Sequence, residues 1–387
     1  NNAYQAKSRY NELHIGKKII HLVDTCIAHS IIEQKIGFND RLNGVSYQSR
    51  IWASDWLKER FKEAKFSLFH LHSHPDRETV VLKDGDKKLI NYVDTKEIKR
   101  MRSLLCEYNE LLARTHIDIL DLEAPLLTIG DGKKKMRLQI NQQDKFVRRI
   151  FNNGSFDQGG RFYGGWWQRC PKEYRKRIMM DGIMTAEIDF SGLHVVILYA
   201  QEGIDYWTEV NEDPYAISQM TNIDPAINQR AVAKLLFLTA LNAGDEKNTL
   251  HAFRYQSAKG SLERKLTDNQ LSPIFHALKR KHEPIAHKLA SKASIDLMYV
   301  DSQITEYLIK AFTDIGCPIL TVHDSYVVPF GYDRFLHQQM QKGFEHVTGI
   351  SHPALEHTTD YYDKLENEPE PSSPPKYEEK EYSKVAS

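Results

Sequence analysis

The segment "PILTVHDSYVVPF", residues 318–330, constrains the fold more than any other stretch of the chain. Two runs of apolar and β-branched residues meet there at the polar triplet His323, Asp324 and Ser325. Side chains branched at Cβ suit a pleated strand, and alternation puts Leu320, Val322 and Asp324 on one face. The spacing therefore predicts two short strands, with Asp324 at or beside the turn that joins them.

"TAEIDFSGLHVVILYA", residues 185–200, repeats the device: a short β-like run ends at Asp189 and an apolar helix follows. Two aspartates that each end a strand can meet over one sheet. Carboxylates that close repel unless they share a proton or bind cations, and paired hard oxygen ligands favour Mg²⁺. Two such ions about 3.5–4 Å apart clamp the attacking and leaving oxygens of phosphoryl transfer. Singly, each aspartate reads more simply as a turn former, so its companions decide. Downstream, "NQRAVAKLLFLTALNAG" sets Arg230 and Lys234 four residues apart on a helical pattern, where both project from one face and can neutralise a triphosphate. A solvated basic face is the plain reading of two cations, but these flanks are strongly apolar and hold few acids.

The whole chain reads as α+β and predominantly helical. Residues 1–150 form a helical amino-terminal region: "SRIWASDWLKERFKEAKFSLFHL" and "KEIKRMRSLLCEYNELLARTHIDILDL" space apolar residues at three and four. One hairpin is expected in "ETVVLKDGDKKLINYV", turning at Asp84 and Gly85. The glycine-rich "NNGSFDQGGRFYGGWW" marks a change of organisation near residue 152. A second region, 151–363, follows: the Asp189 strand and its helix, a long helical stretch from about 214 to 298, the helix "SQITEYLIKAFTDIG" and the closing hairpin. Residues 364–387 carry six acids against four bases and almost no large aliphatic side chains, the signature of a disordered tail.

With 387 residues, 41% of them hydrophobic, the chain suits one large or two ordinary domains with a deep core. Lys plus Arg balance Asp plus Glu at 52 each, so only the distribution of charge can speak for a polyanionic partner. Lys133, Lys134, Lys135, Arg137, Lys145, Arg148 and Arg149 precede the glycine-rich block, and Arg169, Lys172, Arg175, Lys176 and Arg177 follow it, interleaved with Trp166, Trp167 and Tyr174. Phosphate contacts combined with aromatic stacking suit single-stranded or hybrid nucleic acid, against the plain alternative of a solvated face. Cys26, Cys106, Cys170 and Cys317 lie far apart, as expected in a reducing compartment. No run of roughly 18 apolar residues and no basic-then-apolar start is present, so neither a membrane partner nor a secretion signal is expected, and the expected location is cytoplasmic. Position 1 is not Met, which leaves a trimmed amino terminus open.

Taken in order, four blocks resemble the superfamily that joins single-subunit phage and mitochondrial-type RNA polymerases with family A DNA polymerases. "DQGGRFY" is similar to the RNA polymerases' DxxGR-type motif through Asp157, Arg161 and Tyr163. "DFSGLH" is similar to motif A, with Asp189 as its metal aspartate, and "VHDSY" to motif C in its HDS-plus-aromatic form. "RAVAKLLFLTALNAG" is similar to the fingers motif through Arg230, Lys234 and Thr239. A weaker similarity is "YVDSQ", residues 299–303, where RNA polymerases tend to carry His-Ser-Gln. The resemblance spans about 157–330.

It implies a right-hand polymerase with palm, fingers and thumb-like parts, the thumb-like part falling in residues 1–150. It also implies two Mg²⁺ ions on Asp189 and Asp324, with Lys234 and Arg230 on the phosphates of the incoming nucleoside triphosphate. Arg161 with Asp157 and Tyr163 would contact template or hybrid, and His323 and Ser325 would orient Asp324 and the primer terminus. Three positions depart from the pattern and bear on sugar selection: Asn242 for a fingers Tyr, His194 for the DNA polymerases' Glu, and Asp301 for the RNA polymerases' sugar-contacting His. Because "DQGGRFY" and "HDSY" both take the RNA-polymerase form, the expected activity is DNA-dependent RNA synthesis. The alternative is a family A-like DNA polymerase or a primer-synthesising polymerase of a phage or plasmid. Only about 156 residues precede the first block, so the chain looks most similar to the catalytic subunit of the compact two-chain RNA polymerases of some podoviruses. Expected partners are a DNA template, the RNA product and a second chain supplying amino-terminal elements, with a single-stranded-DNA-binding accessory protein as a further candidate. A viral source would place the protein in an infected bacterial host cell.

Two other signals are discounted. "HLHSHPD", with His70, His72 and His74, opens like an isopeptidase zinc site but lacks the downstream SxxD. A Ser-His-Asp hydrolase reading of "HDS" fails because neighbouring residues on a strand cannot align as a hydrogen-bonded triad.

Overall fold

The computed structural model describes residues 5–40, 45–67, 70, 76–130, 136–217 and 223–357. The tail at 364–387, the lysines at 133–135, and His72 and His74 lie outside the described residues. The chain divides into two compact units, Asn1–Glu78 and Thr79–Ser387.

The first unit holds α1 (Lys18–Ala28), β1 (Ile32–Lys35), β2 (Phe38–Asp40), β3 (Val45–Tyr47), β4 (Arg50–Ala53) and α2 (Asp55–Glu63). β1 pairs with β4 and β2 with β3, both antiparallel. The helical expectation for residues 49–71 is thus corrected at its start. Ile51 and Trp52, of types that favour a pleated strand, extend β4, and the helix begins only where the Ser54 hydroxyl accepts from the Leu57 amide.

The second unit begins with β5 (Val80–Leu82), α3 (Lys96–Arg114), β6 (Ile117–Asp118), β7 (Leu126–Ile129), β8 (Met136–Gln139), β9 (Val147–Phe151) and β10 (Gly159–Gly164). Then come α4 (Lys172–Arg175), β11 (Met179–Met180), β12 (Ile183–Phe190), α5 (Leu193–Gln201), α6 (Gln229–Asn242), α7 (Glu246–Gln256) and α8 (Asp268–Lys281). It ends with α9 (Ser294–Asp314), β13 (Leu320–Val322), β14 (Ser325–Pro329), α10 (Asp333–Thr348) and β15 (Leu355–His357).

Two expectations change here. Residues 1–150 are not mostly helical, since their described part carries nine strands and three helices, and its boundary with the rest is not near residue 150. Residues from Thr79 onward belong with the second unit because β5 lies parallel to β9 in a sheet that continues into β10. The expected hairpin shrinks for the same reason. A turn at Asp84, whose carboxylate accepts from the Asp86 and Lys88 amides, closes a single bridge between Lys83 and Leu89, while β5 spends its pairing on β9.

The sheet that matters for function runs β13-β14-β12-β11-β6, with β15 also on β12. Its strands and helices α5, α9 and α10 share one hydrophobic core that includes Ile188, Val196, Ile304, Leu308, Tyr326 and Phe344. Two buried hydroxyls tie the closing hairpin down: Tyr326 to Thr305 at 2.8 Å, and Tyr108 to the Ile319 carbonyl at 2.6 Å. Among the described residues no helix is long and apolar enough to cross a membrane.

Candidate active site

β13 and β14 are joined by the two-residue turn His323–Asp324, with Val322 opposite Ser325. His323 has φ of 58°, which hairpin turns that match strand twist require at their first central position. β14 runs antiparallel to β12 with Ser325 opposite Asp189, and the Phe190 amide donates to the Asp324 carbonyl at 3.2 Å. The two aspartates therefore arrive together at one end of the sheet, as the two strand patterns require.

Burial pushes the Asp189 carboxyl up to about 7, and the charge of Asp324 adds to the shift. Lys172 opposes it, while Glu187 and Glu356 reinforce it. Asp189 Oδ1 is buried without a hydrogen-bond partner. A carboxylate oxygen left in that state beside a second carboxylate is uncompensated. Two aspartates supply the hard oxygens that Mg²⁺ takes from a protein, the remaining ligands coming from substrate phosphates and water, so the residues present fit the ion. Among the described residues no three His, Cys, Asp or Glu side chains group as metal ligands.

A second cluster lies alongside. Gly159 and Gly160 form a bulge with φ of 77° and 75°, and a Cβ on Gly160 would come within 2.8 Å of both the Phe151 ring and Ser302 Oγ. The missing side chain lets β10 close on α9, so Arg161 reaches Asp301. Arg161 Nε donates to Asp301 Oδ2 at 2.7 Å, and its Nη2 pairs with the same oxygen. Nη2 also meets His194 Nε2 at 3.1 Å, and since guanidinium only donates, the imidazole accepts there. Burial pulls the His194 pKa down to about 4, with Arg161 acting in the same direction, so the ring is neutral. Asp301, 1% exposed, is pushed up to about 7 by burial; Arg161 opposes this and Asp324 adds to it.

The cations of α6 are exposed and share one aromatic platform. Arg230 and Lys234 lie 5.6 and 5.7 Å from the centre of the Tyr215 ring, and Arg230 pairs with Asp213 at 2.5 Å. Burial drives the Tyr215 hydroxyl pKa upward, and Asp324's charge adds to that shift. Tyr215 thus feels both Asp324 and the cations. Its loop is fixed from two sides: His282 meets the Pro214 carbonyl at 2.8 Å, and Gly192, with φ of 63°, leaves Pro214 the space beside the turn into α5.

Several expected site residues are placed elsewhere. Thr239 is fully buried and gives its hydroxyl to the Leu235 and Leu236 carbonyls of its own helix, so it faces no nucleotide. Ser325, 4% exposed, donates to Glu187 at 2.5 Å and not toward a primer terminus. Asn242 ends α6 and accepts from the Ser294 hydroxyl at 2.7 Å. Asp157 is exposed in the turn before β10 and does not join Arg161; its charge acts on Tyr299. Tyr163 is half-buried on β10, and His323 is exposed at the hairpin tip.

The basic band also divides. Arg149 is buried, ion-paired with Glu306, and holds the Gly160 carbonyl and Ser302; Lys145 is buried on the Ala113 and Thr115 carbonyls. Trp166 and Trp167 are core residues with no exposed ring to stack on a base. Arg169 pairs with Asp144, Arg175 with Glu187 and Arg177 with Asp121.

Glu187, Glu356 and Tyr215 escape sequence reasoning. Glu356 enters because β15 sets it opposite Asp189, and its carboxylate accepts from Ser191 at 2.6 Å. No local pattern announces that pairing.

No protein-family model matches the chain, and no curated protein matches it in sequence. Among solved structures it is similar to the POL domain of Pol1 from M. smegmatis in complex with DNA primer-template and dNTP, at 13% identity and a TM-score of 0.34. The similarity covers 67% of this chain and 52% of that one, so the chain spans about half the length of its neighbour.

Proposed function

We propose that the protein is the catalytic chain of a DNA-dependent RNA polymerase, a template-directed nucleotidyltransferase. The observation that carries the reading is the meeting of Asp189 and Asp324 at one sheet end, where Asp189 keeps a buried, unpartnered oxygen. Arg230 and Lys234 stand behind Tyr215 on the neighbouring helix, which suits an incoming triphosphate. In this reading the sheet of β6 and β11–β15 with α5, α9 and α10 is the palm, and α6–α8 are fingers.

Asp189 and Asp324 would hold two Mg²⁺ ions, which supply charge stabilisation at the attacking 3′-hydroxyl and at the departing pyrophosphate. Lys234 and Arg230 neutralise the phosphates and hold the α-phosphate in line, and catalysis is mainly positioning in a prepared field. Neutral His194 and Arg161, the latter held in place by buried Asp301, stand beside the aspartates as the groups that would meet the template-paired nucleotide. The RNA-type forms of "DQGGRFY" and "VHDSY" favour ribonucleotides. A second chain would supply amino-terminal elements, and a single-stranded-DNA-binding protein would keep the template open.

The test offers a primed and an unprimed single-stranded DNA template with NTPs or dNTPs and Mg²⁺. Incorporation of NTPs is expected. A preference for dNTPs would overturn the RNA assignment, and template-independent or absent transfer, with and without a partner chain, would overturn the polymerase reading.

A further inference from the structure

Glu187 is an anomaly in a site that already carries too much negative charge. It lies two residues before Asp189 on β12, so strand alternation puts both carboxylates on the same face. It is 2% exposed and adds to the repulsion that raises Asp189. A buried carboxylate there is costly unless it is paired and bonded.

Three hydrogen bonds offset that cost at one of its oxygens, Oε1. Arg175 reaches Glu187 Oε1 through Nε at 3.0 Å and Nη2 at 2.6 Å, and Ser325 Oγ donates to the same oxygen at 2.5 Å. Ser325 stands opposite Asp189 on β14, while Glu187 stands opposite Val327. The Ser325 bond is therefore a diagonal brace across the β12–β14 pair, two residues from one aspartate and one from the other. Arg175 anchors the brace to α4, whose first residue, Lys172, is the cation that acts on Asp189.

We propose that Arg175, Glu187 and Ser325 form a positioning network that sets the spacing of Asp189 and Asp324 for cation binding. This rests on the two-metal reading above. Ser325 acts through Glu187 and touches neither primer nor nucleotide. Partners behind the ligands of a metal site typically change its affinity about 10- to 100-fold when removed.

The experiment measures Mn²⁺ binding by the electron-paramagnetic signal of the free ion, on the full chain without DNA or nucleotide. Ser325→Ala, which deletes one oxygen, is expected to weaken Mn²⁺ about tenfold while the chain stays folded at the assay temperature, and Ser325→Thr to restore it. Glu187→Gln is expected to weaken Mn²⁺ to a similar degree. Adding Ser325→Ala to it should cost little more, because the brace is already broken. Should Glu187→Gln fail to fold, the two Ser325 variants carry the test alone. Wild-type Mn²⁺ affinity in Ser325→Ala, with binding abolished in Asp189→Asn, overturns the network and leaves the two-metal reading standing. Wild-type affinity in Asp189→Asn overturns both.

Discussion

Asp189 and Asp301 are two carboxylates in the same field with opposite solutions. Burial and the charge of Asp324 push both up to about 7. Asp301 is met by Arg161, a cation held by the fold itself, through a bulge that only glycine permits. Oδ1 of each is buried without a hydrogen-bond partner, but among the described residues no guanidinium reaches Asp189 as Arg161 reaches Asp301 Oδ2. A carboxylate bound to a fixed cation stiffens the site. One left uncompensated is suited to a cation that arrives from solution, and the difference separates scaffold from chemistry within a single cluster.

The largest expected effect tests the uncompensated member. Asp189→Asn or Asp324→Asn should lower nucleotide incorporation by about 10³-fold or more, since charge stabilisation of this kind is usually the largest single term in catalysis. The melting temperature should not fall. Activity above a tenth of wild type in either variant would remove the distinction drawn between the two carboxylates. The fixed member responds in stability. Arg161→Met leaves Asp301 buried with its charge unpaired, and should cost about 3–5 kcal/mol in denaturant unfolding. A loss under about 1 kcal/mol would mean that Arg161 is not what holds Asp301.

The features legible in the sequence are those with a local signature. β-Branched arms around "HDS", the apolar run after Asp189 and the four-residue step from Arg230 to Lys234 are all read from neighbours along the chain. Arg149 shows where such reading stops: in sequence it is one more cation in a basic band, yet its counterion Glu306 is 157 residues away and turns it into a buried brace. Trp166 and Trp167 mislead in the same way, because an aromatic beside a cation looks alike in a core and on a template path. Glu187, Glu356 and Tyr215 acquire roles only from strand register and loop packing. In the amino-terminal 150 residues, short apolar runs fit helix and strand alike, and pairing across the chain chose strands.

Titration separates the two carboxylates as well. An aspartate with an ordinary pKa of 3.8 and a folded value of about 7 keeps its proton in the folded state over a range where the unfolded chain has released it. The folded state then binds more protons, so without divalent cation stability should fall as pH rises from about 4 to about 7 and level off above. Asp301 contributes with the same sign. On the proposed two-metal reading Mg²⁺ would bind the ionised form of Asp189, so saturating ion should recover the part due to that residue and leave the Asp301 part. Activity measured at limiting Mg²⁺ should rise through pH 7, and its midpoint should move to lower pH as Mg²⁺ increases. A midpoint independent of Mg²⁺ would break the link between Asp189 and the ion.

The smallest effect is a matter of sign. At pH 8 without divalent cation, Asp189→Asn removes a buried charge that Lys172 alone opposes, and should leave stability unchanged or raise it by about 1 kcal/mol. Asp301→Asn keeps an oxygen for Arg161 but removes the charge that Arg161 is paired with, and should lower stability by about 1–2 kcal/mol. The two substitutions are chemically identical and lie in one cluster, so a difference in sign reports only whether a fixed cation is present. A urea midpoint that falls in Asp301→Asn and stays or rises in Asp189→Asn would support that assignment. Two losses of the same size would mean that Asp189, like Asp301, is compensated by the fold, with Lys172 the group nearest to doing so.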